Sequence, residues 1–259
     1  IALALLGVTL ALRYHNTTHA RHTADDRLRP SAPMERVACA PRHDERPHVD
    51  GCTPAADRCG RLVRSRVASE TQIRQLRAMA ERAMALGGCA GGPTILDLHS
   101  GALSKDDVFI DVWQAFNLSG AAPLTKSEVT DYREVVDSVR RMVEAAFQIE
   151  APLYLTAPTF VSRISANLPP KTPMDEYWHT HIDTEQYEAF DYTTILYLSS
   201  DGVEHTGGQF VFDEVGERKR AALAPARGDW IGFTSGAEFP HHVEKVTSGH
   251  SGMGAACHH

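Results

Sequence analysis

The sequence predicts a mainly β protein, a double-stranded β-helix or jelly roll preceded by helices. Six short runs rich in β-branched and aromatic residues occupy 153–164, 177–183, 192–199, 209–212, 230–233 and 241–247. Clusters of Gly, Pro, Ser and Asp separate them, which is typical of a sandwich or jelly roll. Before residue 150, two stretches carry apolar residues at steps of three and four, which predicts amphipathic helices.

Each helical stretch has its own boundaries. The first begins after Ser69 and ends before Gly87-Gly88, and the second covers 126–147. Their apolar stripes are Ile73, Leu76, Met79, Ala80, Ala83 and Leu86 in the first, and Val129, Tyr132, Val136, Val139, Val143 and Ala146 in the second. Both helices are expected to support a sheet, so residues 65–150 are predicted to be a helical support region and 151–250 the functional domain.

The N-terminal 12 residues are apolar and uncharged, and the chain starts with Ile rather than Met. A membrane-spanning helix needs about 20 residues, so we interpret 1–12 as the remnant of a transmembrane anchor. A signal-peptide core and a buried helix are the alternatives. Residues 13–64 are then expected to be a stalk and a cysteine-containing segment.

The net charge indicates which binding partners are expected, and the cysteines indicate the cellular compartment. The net charge of −7 and the pI of about 6.0 give no indication of a nucleic-acid partner. Cys39, Cys52 and Cys59 lie close together, so one disulfide among them is expected if the region is lumenal, with the pairing left open. Asn16 and Asn117 each begin a glycosylation sequon, which weakly favours the same placement.

Two histidines and one aspartate form the most informative pattern in the chain. His181 and Asp183 are two residues apart, so on a strand both side chains point the same way. His241 lies far downstream, and a distant strand of a jelly roll can bring it to the same point. Two imidazoles and one carboxylate hold one face of a ferrous ion and leave the other face open. We therefore predict an iron site at His181, Asp183 and His241.

Neighbouring histidines leave a second chemistry open. His179 shares the predicted strand face of His181 and could be a further metal ligand. The alternative is then a zinc- or iron-dependent lyase or isomerase of the cupin type. His242 follows His241 directly and should point to the opposite face of its strand. His205 is expected to lie in a loop.

The order of three motifs resembles a known family. H-x-D at 181–183, G-G-x-F at 207–210 and H-x-V-x-x-V at 241–246 occur in the order found in the iron- and 2-oxoglutarate-dependent dioxygenases, specifically the prolyl 4-hydroxylase-like group. Longer collinear stretches extend the likeness from about residue 39 to 249: 51–54, 59–61, 95–104, 175–179, 190–193, 196–199 and 234–236. The resemblance implies Fe(II) as cofactor, 2-oxoglutarate and O₂ as co-substrates, ascorbate as an accessory reductant, and a peptidyl, prolyl-like substrate.

The resemblance also implies roles and a location. Tyr197 occupies the strand position where related hydroxylases place a tyrosine against the 2-oxoglutarate carboxylate, although a core aromatic residue would look the same. Gly207-Gly208 would form a tight turn. The chain would be a single-pass membrane protein whose catalytic domain is lumenal or extracellular.

One position departs from the family pattern. An arginine two residues after Gly249 would pair with the far carboxylate of 2-oxoglutarate, and this chain has Ser251 there. The tail 251–259 is rich in Gly and Ala, so the last strand of the jelly roll is expected to be missing. Arg163 or Lys171 could compensate. The alternative function is therefore a catalytically inactive variant or a lumenal interaction protein.

Overall fold

The structure is a computed structural model that describes residues 28, 32–41, 50–88, 91–106, 108–120, 124–155, 159–187 and 189–258. Its helices are α1 (Glu70–Met84), α2 (Val112–Ser119), α3 (Lys126–Phe147) and α4 (Asp183–Gln186). Its strands are β1 (Glu35–Val37), β2 (Cys59–Arg64), β3 (Thr94–Asp97), β4 (Ala102–Lys105), β5 (Val108–Asp111), β6 (Phe160–Ser165), β7 (Tyr192–Tyr197), β8 (His205–Gly207), β9 (Phe210–Phe212), β10 (Ala221–Leu223), β11 (Trp230–Thr234), β12 (His241–Val243) and β13 (Val246–His258).

Two antiparallel sheets face each other, which confirms the predicted jelly roll. In the described part of the chain the large sheet has the order β1-β2-β11-β7-β13-β6-β3-β4-β5, with β8 also pairing with β13, and the small sheet has the order β10-β9-β12. Buried side chains from both sheets form an inner core between them. This core includes Ile164, Ile195, Tyr197, Phe210, Phe212, Ile231, Phe233 and Met253.

Helices α1 and α3 cover the other face of the large sheet, as the sequence predicts. Helix α1 begins at a capping box in which Ser69 and Gln72 bond each other's backbone, and Thr125 and Glu128 do the same for α3. Residues of α1 and α3 pack with Leu62, Leu96 and Trp230 of the sheet in an outer core. The bounds predicted for α3 are confirmed, whereas Leu86 lies beyond the end of α1 and is exposed.

The C-terminal residues form a strand within the large sheet, so the expectation of a missing last strand is wrong. Strand β13 lies between β6 and β7, with Ser251 opposite Ile164 and Met253 opposite Tyr197. Ladders on both sides satisfy the backbone groups of the strand. Tertiary context therefore overrides the low β-propensity of Gly and Ala.

Two of the six predicted runs, 153–164 and 177–183, differ most from the observed strands. Of the run 153–164, only the part from Phe160 onward is in β6. In the run 177–183, only His181 pairs, through an isolated bridge to His241, and Asp183 already begins α4. The region predicted as stalk and cysteine-containing segment contributes β1 and β2 to the large sheet.

A disulfide joins the N-terminal segment to the sheet. Cys39 and Cys59 are bonded, which confirms one bridge among the three clustered cysteines, while Cys52 is a buried free thiol. The apolar residues 1–12 and the sequon at Asn16 lie outside the described residues. Within the described ranges, none of the helices has the length and apolar character that a membrane crossing requires.

We expect the double substitution Cys39→Ser/Cys59→Ser to lower the free energy of unfolding by roughly 3 kcal/mol, because the bridge closes a loop with a sequence separation of 20 residues. Chemical denaturation would measure the change. Reduction of the wild-type protein should reproduce it, and reduction should leave the double variant unaffected. An unchanged denaturation midpoint after full reduction would contradict the prediction.

Candidate metal centre

The isolated bridge between His181 and His241 brings two of the three predicted ligands together. The His181 N–H donates to His241 O at 2.9 Å, and the His241 N–H donates to His181 O at 3.0 Å. Directly opposite residues in an antiparallel pair point to the same side. Their imidazole centroids are accordingly 4.4 Å apart.

Hydrogen bonds to the backbone leave the Nε2 atom of each histidine free. Nδ1 of His181 donates to His179 O at 3.1 Å, and Nδ1 of His241 donates to Phe239 O at 2.9 Å. A carbonyl oxygen can only accept, so in each neutral ring the lone pair is on Nε2. Such bonds fix the tautomer and ring orientation of metal-binding histidines.

Asp183 supplies the third ligand from the first residue of α4. Its Oδ1 lies 3.7 Å from His181 Nε2 and 3.5 Å from His241 Nε2. Ile182 is extended, so His181 and Asp183 still face the same way although the strand ends before Asp183. The second carboxylate oxygen, Oδ2, accepts a 2.5 Å bond from Thr193 Oγ1. Thr193 was not predicted from sequence, because its role depends on strand β7 lying beside α4.

The three ligand atoms lie within 4.8 Å of one another and form the group that could hold a metal ion. Bonds of about 2.0–2.2 Å from one ion place neighbouring donor atoms roughly 3 Å apart. The residues therefore fit a first-row divalent metal. All three predicted metal ligands are brought together.

An aromatic environment keeps His241 neutral. Its ring stacks on Phe210 at 5.0 Å and meets the edge of Phe233 at 4.9 Å. Burial lowers the pKa of His241 to about 4, and the nearby Asp183 only partly offsets this effect. A neutral imidazole at physiological pH retains the lone pair that a metal needs.

The other histidines have different roles. His179 is exposed, contacts Glu176 Oε2 through Nε2 at 2.5 Å and is not in the ligand group, which argues against it as a further ligand. His242 points away from His241 as predicted, and its Nδ1 donates to Asp213. His205, expected in a loop, is buried in β8, so that expectation is wrong. The turn predicted at Gly207-Gly208 is confirmed by two positive φ angles, where Gly is favoured.

Tyr197 and Ser251 both lie in the inner core between the sheets. Each is 0% exposed, and neither Tyr197 Oη nor Ser251 Oγ has a hydrogen-bond partner in the described structure. A buried hydroxyl without a partner is uncommon and suggests a missing partner. The inner core thus contains two buried hydroxyl groups that can donate a hydrogen bond, and position 251 carries no guanidinium.

Neither proposed substitute for that arginine reaches the inner core. Arg163 lies two residues after Val161, which belongs to the outer core, so the two share the helix-facing side of β6. A Cβ added at Gly88 would lie 3.8 Å from Arg163 Nη2, which places the guanidinium beside the end of α1. Lys171 is an exposed residue of the loop after β6. The suggestion that Arg163 compensates is therefore wrong, and the geometry gives no support to Lys171.

Two histidines and a carboxylate inside a jelly roll define the class of non-haem iron oxygenases. A model of the 2OG-Fe(II) oxygenase superfamily matches residues 171–255. The chain is 41% identical over 214 residues to rat 2-oxoglutarate and iron-dependent oxygenase domain-containing protein 3, covering 82% of this chain and 66% of that relative. The chain belongs to the 2OG-Fe(II) oxygenase superfamily, whose members use Fe(II), 2-oxoglutarate and O₂.

One further relative and one solved structure carry prolyl hydroxylase names. Human prolyl 3-hydroxylase 1 is 31% identical over 157 residues, covering 54% of this chain and 21% of that protein. A prolyl-4-hydroxylase structure from Pseudomonas putida superposes with a TM-score of 0.48 at 14% identity, covering 77% of this chain and 92% of that one. The chain spans less than two thirds of the length of the rat relative and of human prolyl 3-hydroxylase 1.

Proposed function

We propose that this chain is an Fe(II)- and 2-oxoglutarate-dependent oxygenase that hydroxylates a peptidyl, prolyl-like side chain. The observation that carries this proposal is the convergence of His181 Nε2, His241 Nε2 and Asp183 Oδ1, with both histidine tautomers fixed for metal binding. Bound iron and 2-oxoglutarate would supply the oxidising chemistry, with ascorbate as an accessory reductant. The names of the prolyl 3-hydroxylase relatives support a peptide or protein as substrate.

The residues of this chain would bind and orient the reactants. The three ligands occupy one face of the ion and leave the opposite face open for a co-substrate. Thr193 holds one carboxylate oxygen of Asp183 so that the other stays directed at the metal. Phe210 and Phe233 exclude water from the inner side of His241.

A second candidate function follows from Ser251. Without a guanidinium at this position, the chain would bind metal but hold 2-oxoglutarate weakly, and would act as an inactive variant or a lumenal interaction protein. A buried carboxylate that lacks a cationic partner is costly. The unpartnered hydroxyls of Tyr197 and Ser251 would compensate only in part.

Anaerobic titration with Fe(II) and then 2-oxoglutarate tests the proposal. We expect a weak visible charge-transfer band at submillimolar 2-oxoglutarate, because the open face of the metal can be chelated. Proline-containing peptides would then be tested in air for a mass increase of one oxygen atom. Iron binding without a charge-transfer band would favour the inactive variant instead.

We also propose that the chain is a single-pass membrane protein with its catalytic domain in the lumen or outside the cell. The disulfide between Cys39 and Cys59 supports an oxidising compartment. Asn117 is exposed on α2 and accessible to glycosylation, and the sequon at Asn16 would lie in the same compartment. A mass shift on enzymatic deglycosylation of protein from secretory cells would support this location, and unmodified sequons in such cells would count against it.

A further inference from the structure

The segment that carries His181 pairs with β12 at one residue only. Its pairing consists of the single bridge to His241, and no ladder continues it within the described residues, because Asp183 already begins α4. Two imidazoles on such a short pairing need a further restraint to keep their separation before the metal binds.

Three side chains on the outer face of the small sheet provide that restraint, and we call them the outer clamp: Thr180, Asp213 and His242. Asp213 Oδ2 accepts a 2.7 Å bond from Thr180 Oγ1 and a 2.9 Å bond from His242 Nδ1. Thr180 directly precedes His181, and His242 directly follows His241. Neighbouring residues of a strand face opposite sides. The outer clamp therefore connects the two paired segments on the side opposite to the ligand side chains.

The backbone of Asp213 is also hydrogen-bonded to the chain directly before β12, the strand that carries His241. Its N–H donates to Pro240 O at 2.9 Å, immediately before His241. Asp213 follows β9, the central strand of the small sheet, whose Phe212 pairs with His241. The carboxylate is therefore held by a regular element while it bonds both ligand segments.

We propose that Asp213 is a positioning residue of the iron site, which holds the His181 and His241 segments at the separation that the metal requires. Asp213 touches neither the ligand side chains nor the metal position, and acts through Thr180 and His242. The inference deepens the proposed oxygenase function but depends only on metal binding. It can therefore be tested with a metal alone.

Co(II) titration of the purified chain is the test, with the visible spectrum reporting the geometry of the ligands. We expect Asp213→Ala to weaken Co(II) binding by about tenfold or more, the range in which substitutions around metal ligands act. Asp213→Asn should stay near the wild type, because its amide oxygen can accept both bonds. Thr180→Val, at an exposed position, should give an intermediate loss without endangering the fold.

Asp201→Ala is the matched control. Its carboxylate also braces a turn, by accepting from the Gly207 N–H at 3.0 Å, but it contacts neither ligand segment. Unchanged Co(II) affinity and spectrum in both Asp213→Ala and Thr180→Val would overturn the proposal. A lower melting temperature for Asp213→Ala with wild-type Co(II) affinity of the folded protein would also overturn it. If 2-oxoglutarate gives no charge-transfer band while Co(II) affinity still depends on Asp213, the oxygenase function fails and the positioning role stands.

Discussion

Replacing His181 with alanine is expected to weaken Fe(II) binding by more than about 100-fold, beyond the range produced by substitutions of outer-shell partners. The variant removes one of three ligands and leaves the histidine–carboxylate pair of His241 and Asp183, which cannot define one face of the ion. His181 is the suitable choice because its side chain is 32% exposed, whereas that of His241 is 4% exposed and packed among phenylalanines. Anaerobic competition with a chromogenic chelator would measure the affinity.

His179→Ala is the matched control for that prediction. It removes an imidazole two residues away that is exposed and contacts Glu176. We expect Fe(II) affinity to stay at the wild-type level, because Nε2 of His179 is directed at Glu176 and not at the ligand group. Equal losses in both variants would instead support the metal site of the cupin-type alternative.

Two of the three metal ligands, His181 and Asp183, were predictable because their pattern is local and chemical, and His241 was predictable from its place in the third motif. The first two are separated by one residue, and any backbone that keeps Ile182 extended places both side chains on one side. The prediction therefore holds although the strand ends at His181. The bounds of α3 were predictable for a similar reason, since its apolar residues recur at steps of three and four within one continuous stretch.

The C-terminal strand could not be predicted because its stability is not local. The Gly and Ala residues of β13 have low β-propensity, and only the ladders to β6 and β7 explain the strand. Thr193 and Asp213 were missed for the same reason. Their partners are distant in sequence, so only the observed strand registers show which groups they meet. A carboxylate directly after the buried run Phe210–Phe212 was the available signal for Asp213.

Replacing Ser251 with arginine is expected to lower the dissociation constant of 2-oxoglutarate by about 10- to 100-fold, because a charge-assisted bond to a carboxylate contributes about 1.5–3 kcal/mol. Ser251 and Met253 lie on the same side of β13, and Met253 belongs to the inner core. A side chain at Ser251 therefore projects toward the space shared with Tyr197. Titration of the charge-transfer band of the Fe(II) complex would measure the affinity.

The melting temperature of Ser251→Arg distinguishes a new contact with 2-oxoglutarate from a general effect of added charge. Position 251 is fully buried, so without 2-oxoglutarate the added guanidinium is an unpaired buried charge and should lower the melting temperature. 2-Oxoglutarate supplies the missing anion and should therefore stabilise Ser251→Arg more than it stabilises the wild type. Ser248→Arg adds the same charge at an exposed position of β13 and should show neither effect. If Ser251→Arg folds but gains no affinity, residue 251 does not limit co-substrate binding, and wild-type binding would then depend on Tyr197 and the metal.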